Sequence, residues 1–355
     1  MADDSAFICG IGLVTAVGGC TAQTAASVRA GISCYEESSI YNKRFAPMTM
    51  ALVPEDILPP LSLDEAASIG LTSRQSRMLR LAHLAMHEAL SQLPAECEVP
   101  LFLALPEPLA NRPPPVTDAF LDLLIGQTGA SVDRDRSQVF TSGRAAGFEA
   151  LEAGLEFLGQ EQDRFALVGG VDTYLDLYLL GTLDIEDRVL AAGVMDGLAP
   201  GEGAGFLLLG ADGLAAQLNP RPTIKVHRPG LALEPGHRYS QAPYQGEGLS
   251  SAIDSALKAL QGVPAKAVLA GFNGENFGAK EWGVSLGRCQ GGIDPAFAIV
   301  HPADGFGDIG AAFGPVLMGL AAVGIEKGYL PAPSLAWASS DTAARGATCI
   351  TSLNA

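Results

Sequence analysis

Six cysteines, five histidines and scattered carboxylates are the side chains here that could do covalent, acid–base or metal chemistry. Cys9, Cys20, Cys34, Cys97, Cys289 and Cys349 never stand at CxxC spacing, so no zinc knuckle is encoded. His83 and His87 stand at i, i+4, a spacing that suits a metal, but no third ligand or HExxH context accompanies them. The expectation is a helix surface pair, with no metal and no cofactor. Ser142 precedes a helical segment and is a candidate nucleophile or a helix N-cap. His301, just before Pro302, is a candidate base or a strand-end side chain bonded to backbone. Glu275 and Glu281, in NGENFGAKEW, follow an apolar run, where polar residues line a cleft or cap a helix. The glycines of GEGAG, from Gly201 to Gly205, could cradle a phosphate. With no lysine and no following helix, they read as a tight turn. The acidic run LDIEDR at 183–188 reads as a solvated loop.

These residues need elements to position them. FICGIGLVTAVG is a β-favouring run that breaks into glycines and then into TAQTAASVRAGIS, giving strand, turn and helix, with Gly31 as the stop. Residues 73–93 place Met78, Leu79, Ala82, Ala85, Met86, Ala89 and Leu90 on one helical face, capped by Thr72 or Ser73 and ended by Pro94. VPLFLALPEP is a short buried strand, QVFTSG leads by a turn into the helix RAAGFEALEAGLEFLGQ, and RFALVGGVDTY is another buried strand. After residue 215 the alternation repeats through PTIKVH, GLSSAIDSALKALQG, AKAVLAGFNG, AFAIVHP, a Gly/Ala-rich helix and ATCITSLN. Two rounds of alternation predict a layered α/β protein whose central strands are buried on both faces.

The chain has 355 residues, 48% of them hydrophobic and 17% charged, with a formal charge of −17. It is not a disordered composition, and a chain this long buries a large core without staples. An acidic body repels phosphate backbones, so nucleic acid and anionic membrane are not expected as partners. The opening MADDSAFICG lacks a basic n-region, and IGAAFGPVLMGLAAVGI is short for a membrane span. The cytoplasm is the expected location.

The wording and order of several segments resemble the β-ketoacyl synthase branch of the thiolase-like condensing enzymes. These are GIGLVTAVGGCTAQTAASVRAGIS, LVGGVD, APGEGAGFLLL and HPADGFGDIGAAFGPVLMGLA. The resemblance implies two βαβαβαββ halves, 1–215 and 216–355, in one five-layer αβαβα body, and a dimer. It also implies a nucleophilic cysteine at a strand-to-helix elbow, where this chain has Ser142 or Arg144. Of the family's two histidines, the first falls on Phe272 or Asn273 and the second on Gly307. The nucleophile and both histidines are thus absent from the matching positions. Arginine stays protonated and neither attacks a thioester nor acts as a base. A buried Arg144 needs a carboxylate, with Glu149 or Glu275 expected. Glu149, Glu275, His301 and Asp308 are the expected pocket lining.

Three readings follow from the resemblance. One is an inactive ketosynthase-like adaptor, with a role in type VI-like effector secretion. The second is a non-catalytic acyl-binding partner of an active ketosynthase. The third is an enzyme with altered chemistry in the old pocket. The expected partner is another protein, either a secretion effector or a ketosynthase-like subunit. In the family the strand before the elbow pairs with its copy across a two-fold axis. Here it carries Val139 and Phe140 and no charge block, so a homodimer or heterodimer is expected through that edge. Carrier proteins are acidic, so docking one would need Arg74, Arg77 and Arg80 to form a free basic patch.

Overall fold

The computed structural model describes residues 4–63, 70–94, 97–109 and 112–353. Its strands are β1 (Ser5–Thr15), β2 (Glu36–Tyr41), β3 (Pro47–Met50), β4 (Leu101–Ala104), β5 (Gln138–Phe140), β6 (Phe165–Thr173) and β7 (Glu202–Gly210). They continue as β8 (Ile224–His227), β9 (Gly230–Leu233), β10 (Ala265–Ala270), β11 (Ile293–Val300), β12 (Ser334–Ser339) and β13 (Ala344–Ser352). Strands β2 and β3 form a separate hairpin.

The remaining strands pair in a pattern that occurs twice. In the first half β5, β4 and β6 run parallel, and β7 and then β1 add antiparallel. In the second half β11, β10 and β12 run parallel, and β13 and then β9 add antiparallel. Strand β8 pairs with both β1 and β13, so hydrogen bonding is continuous from one half to the other.

Helices cover both sides and fill the middle. Ser73–Leu90 and Phe120–Thr128 pack on the outside of the first half, and Glu247–Leu257 and Asn276–Arg288 on the outside of the second. Ala146–Gln160 and Phe313–Glu326 lie between the halves, touching strands of both and each other. This is the expected αβαβα arrangement. It explains why β6 and β7 are buried along their whole length and mostly apolar, since a helix lies on each face. The two central helices approach closely because glycine stands at the crossing. A Cβ on Gly147 would lie 2.4 Å from Pro315 Cδ.

The Ser73–Leu90 helix starts at Thr72 in a capping box: Thr72 Oγ1 accepts from the Gln75 N–H, and Gln75 Oε1 accepts from the Thr72 N–H. Among the described residues, no helix is long and apolar enough to cross a membrane. The Gly/Ala-rich run is instead the buried central helix Phe313–Glu326.

Two sequence expectations change here. GEGAG is not a turn, because all but its first glycine lie within β7, which is buried throughout. Its glycines serve close packing: a Cβ on Gly205 would stand 2.9 Å from Val316 Cγ2 and 3.0 Å from Val316 N. LDIEDR is not wholly solvated either, since Leu183 and Arg188 are buried. Among the described residues the expected dimer edge, β5, pairs only with β4, and Val139 is 41% exposed.

Candidate functional site

The elbow is built by β5 ending at Phe140, a single 3-10 turn Gly143–Ala145, and the central helix Ala146–Gln160. Arg144 sits in that turn with only 4% of its surface exposed. The second half repeats the device with a turn at Gly310–Ala312 before the helix Phe313–Glu326. Asp308 precedes that turn and is fully buried.

The two elbows meet through an ion pair. Arg144 Nε donates to Asp308 Oδ1 at 3.1 Å and Oδ2 at 2.9 Å, and Nη2 donates to Oδ2 as well. Arg144 Nη1 donates to Asp341 Oδ1 at 2.9 Å, and Nη2 to the Tyr174 hydroxyl at 3.2 Å. Asn273 Nδ2 donates to Asp308 Oδ2 at 3.0 Å and to Glu275 Oε2 at 2.8 Å. Arg144, at the elbow, and Asn273, one of the two residues expected for the first histidine, thus converge on Asp308, one residue beyond the Gly307 expected for the second.

Several expected roles need correcting. Gly307 lacks a side chain and has φ +72°; it turns the chain so that Asp308, the next residue, enters the site. Phe272 faces away from Arg144. Its ring stacks on His301 at 4.9 Å and meets Trp282 and Trp337 edge-on. His301 thus lies on the far side of Phe272, in a separate cavity of 540 Å³ between Val28 and Leu330. Neither Glu149 nor Glu275 pairs with Arg144. Glu149, in the first turn of the Ala146–Gln160 helix, accepts from the hydroxyl of Ser142, which precedes that helix, whereas Glu275 takes Arg188 and Arg238. Among the described residues no histidine bonds to Ser142, whose hydroxyl is held by Glu149. His83 and His87 bond the carbonyls of Gln127 and Thr128, and no metal-binding group occurs among the described residues.

The sequence reading missed Asp341, Arg188 and Arg238, which complete the network. Arg188 Nε and Nη2 bind Glu275 at 2.8 Å each, and Nη1 and Nη2 bind Asp341 at 2.8 and 3.0 Å. Arg238 Nη2 lies 2.9 Å from Glu275. Three guanidinium groups thus face three carboxylates, Asp308, Asp341 and Glu275. A fourth carboxyl, Glu107, accepts from the backbone N–H groups of Asp341 and Thr342. Burial, and then the Asp341 charge, push its pKa above the usual glutamate value, which favours its neutral form. Burial alone would pull the Arg144 pKa down, but Asp308, Tyr174 and Asp341 outweigh it and hold the guanidinium charged.

Asp341 behaves oppositely to Glu107. Burial raises its pKa, but Arg144, Arg188 and Arg238 outweigh that and hold it well below the usual aspartate value. Above the ordinary value of 3.8 its pairing stabilises the fold in full, and that contribution is lost as pH falls through the depressed folded value. Asp341→Asn should cost roughly 1.5–3 kcal/mol near neutral pH. It should also lose less stability than the parent chain on acidification below the ordinary aspartate range. Urea unfolding across acid and neutral pH measures both, and parallel acid limbs would refute the assignment.

Beside Arg144 lies a cavity of 210 Å³, with polar walls from Arg74, Glu107 and Tyr174 and apolar walls from Pro114 and Leu179. Arg74, Arg77 and Arg80 do not form a free basic patch. Arg74 pairs with Asp172 at 2.8 Å, Arg77 with Glu202 at 2.6 Å and Arg80 with Glu55 at 2.5 Å.

No family model and no curated protein matches the chain. Solved structures do. The oxazolomycin ketosynthase domain of Streptomyces albus JA3453 matches with a TM-score of 0.78 at 14% identity, over 99% of this chain and 75% of that one. The fold is the ketosynthase fold. The ishigamide ketosynthase/chain length factor has the ketosynthase fold too, with a TM-score of 0.76 at 17% identity over 99% of both chains. A Xenorhabdus doucetiae ketosynthase in complex with its chain length factor matches at 0.77, with 14% identity over 98% of both chains. In this chain Arg144 at the turn before the Ala146–Gln160 helix is paired with Asp308, and Asn273 bonds the same carboxylate.

Proposed function

We propose that this chain is a non-condensing, ketosynthase-like subunit that acts by binding another ketosynthase-like chain. The observation that carries this is Arg144 at the elbow, buried and neutralised by Asp308 and Asp341. A guanidinium that stays protonated has no lone pair to offer a thioester, and its carboxylate partners are already engaged. Ketosynthase–chain length factor complexes provide a precedent for a partner of the same fold. Such a subunit would help to shape the acyl pocket of an active partner. The open β5 edge, with Val139 exposed, supports pairing through that strand. The engaged arginines of the Ser73–Leu90 helix leave little to attract an acidic carrier protein, which favours a ketosynthase-like partner over direct carrier docking. The secretion-adaptor reading draws no support from the matched structures.

Two measurements test the proposal. Incubation with an acyl thioester, or with a cysteine-directed condensing-enzyme inhibitor, should leave the intact mass of residues 140–146 unchanged. A stoichiometric adduct there would sink the reading and revive Ser142. Light scattering should show an assembly that buries on the order of 2,000 Å², either as a homodimer or on co-expression with a cysteine-bearing ketosynthase. Val139→Asp should dissociate it by placing like charges along the pairing edge. A stable monomer in both settings would count against a partner subunit.

A further inference from the structure

Arg144 lines both the 210 Å³ cavity and a much smaller one of 20 Å³. Its walls include Arg238, Glu281, Trp337 and Ser339. Each of these presents one buried polar atom without a hydrogen-bond partner: Arg238 Nε, Glu281 Oε2, Trp337 Nε1 and Ser339 Oγ. Glu281 and Trp337 are completely buried. Leaving one such group unpaired costs about 1–3 kcal/mol, so four around one small space call for a shared partner.

The volume and the chemistry select that partner. A space of this kind needs on the order of 10–15 Å³ to admit a water molecule, and at 20 Å³ this one has room for it. Trp337 Nε1–H and Arg238 Nε–H only donate, Glu281 Oε2 as a carboxylate only accepts, and the Ser339 hydroxyl adapts. Water has two lone pairs for the two donors and two hydrogens for the two acceptors. We propose that the cavity binds one ordered water molecule held by all four groups. A cation is excluded by the two donors, and an anion by Glu281.

The water joins two networks that share no direct bond through these atoms. Arg238 belongs to the Arg144 network through Glu275. Glu281 belongs to a second buried pair with Arg345, at 2.6 Å. Arg345 in turn donates to the carbonyls of Ser340 and Thr342, on either side of Asp341. The water closes this circuit around the β12–β13 connection.

High-resolution diffraction from the full chain is the direct test. The expected result is density about 2.7–3.2 Å from both Trp337 Nε1 and Glu281 Oε2. An unoccupied cavity, or Trp337 Nε1 donating directly to Glu281, would overturn the proposal. In solution, tryptophan-labelled protein should show a cross-peak from the Trp337 indole N–H to a long-lived water, assigned by its disappearance in Trp337→Phe. Ser339→Ala removes one acceptor and should shorten the water's residence by ~5-fold. No cross-peak in the parent chain, or the same residence time in Ser339→Ala, would also overturn it.

Discussion

Asp308→Ala is expected to lower the unfolding free energy by roughly 3–5 kcal/mol, the cost of leaving one partner of a buried pair uncompensated. Asp308 accepts three of the hydrogen bonds that Arg144 donates, together with those of Asn273 and the Gly310 N–H. Asp341 remains beside Arg144 but is already shared with Arg188. Arg144→Met combined with Asp308→Leu should cost far less than the two single changes added together, because no orphaned charge remains. Equilibrium urea unfolding of the two single variants and the double variant decides. A loss below about 1 kcal/mol in Asp308→Ala would show that Arg144 escapes to solvent and that the site is not sealed.

Arg345→Met should cost a similar amount, roughly 3–5 kcal/mol, and for a broader reason. Arg345 is a β13 residue, 1% exposed, whose Nη1 donates to the carbonyls of Ser340, Thr342 and Ala344 while Nε holds Glu281. Its loss strands Glu281 and the carbonyls of Ser340 and Thr342, while the Ala344 carbonyl keeps the Ser340 N–H. Arg345→Lys should not rescue the chain, because a lysine ammonium cannot reproduce the planar fork that reaches both sides of the turn. Hydrogen exchange at residues 340–344 should accelerate in both variants, since the turn that presents Asp341 loses its brace. Unchanged exchange there would separate Arg345 from the site.

What was legible in the sequence was local or motif-borne. The Thr72 cap and the apolar stripe from Met78 to Leu90 lie within one helix, and local spacing suffices to read them. The elbow could be placed near Ser142 or Arg144 because LVGGVD, in β6, follows the helix after a short connection. The partner of Arg144 could not be read this way. Asp308 and Asp341 lie 164 and 197 residues away, and carboxylates nearer in sequence competed for the assignment. GEGAG misled because a glycine run has the same signature whether it turns the chain or admits a neighbour's backbone. Gly307 misled by one position, since the residue in the expected register turns the chain and its successor supplies the side chain. Arg188 was hidden in an acidic stretch whose average charge suggested solvent.

The separation between Arg144 and its counterions also sets an order of events during synthesis. At about 5–20 residues per second, the ribosome delivers Asp308 and Asp341 roughly 10–40 seconds after Arg144. Throughout that interval the elbow holds a cation with no anion to meet, and Ala146–Gln160 has no Phe313–Glu326 helix to cross. The first half must wait with its central face and its guanidinium in water, a state that holding chaperones would recognise. Closure of the ion pair then marks the moment when the two central helices are sealed against each other.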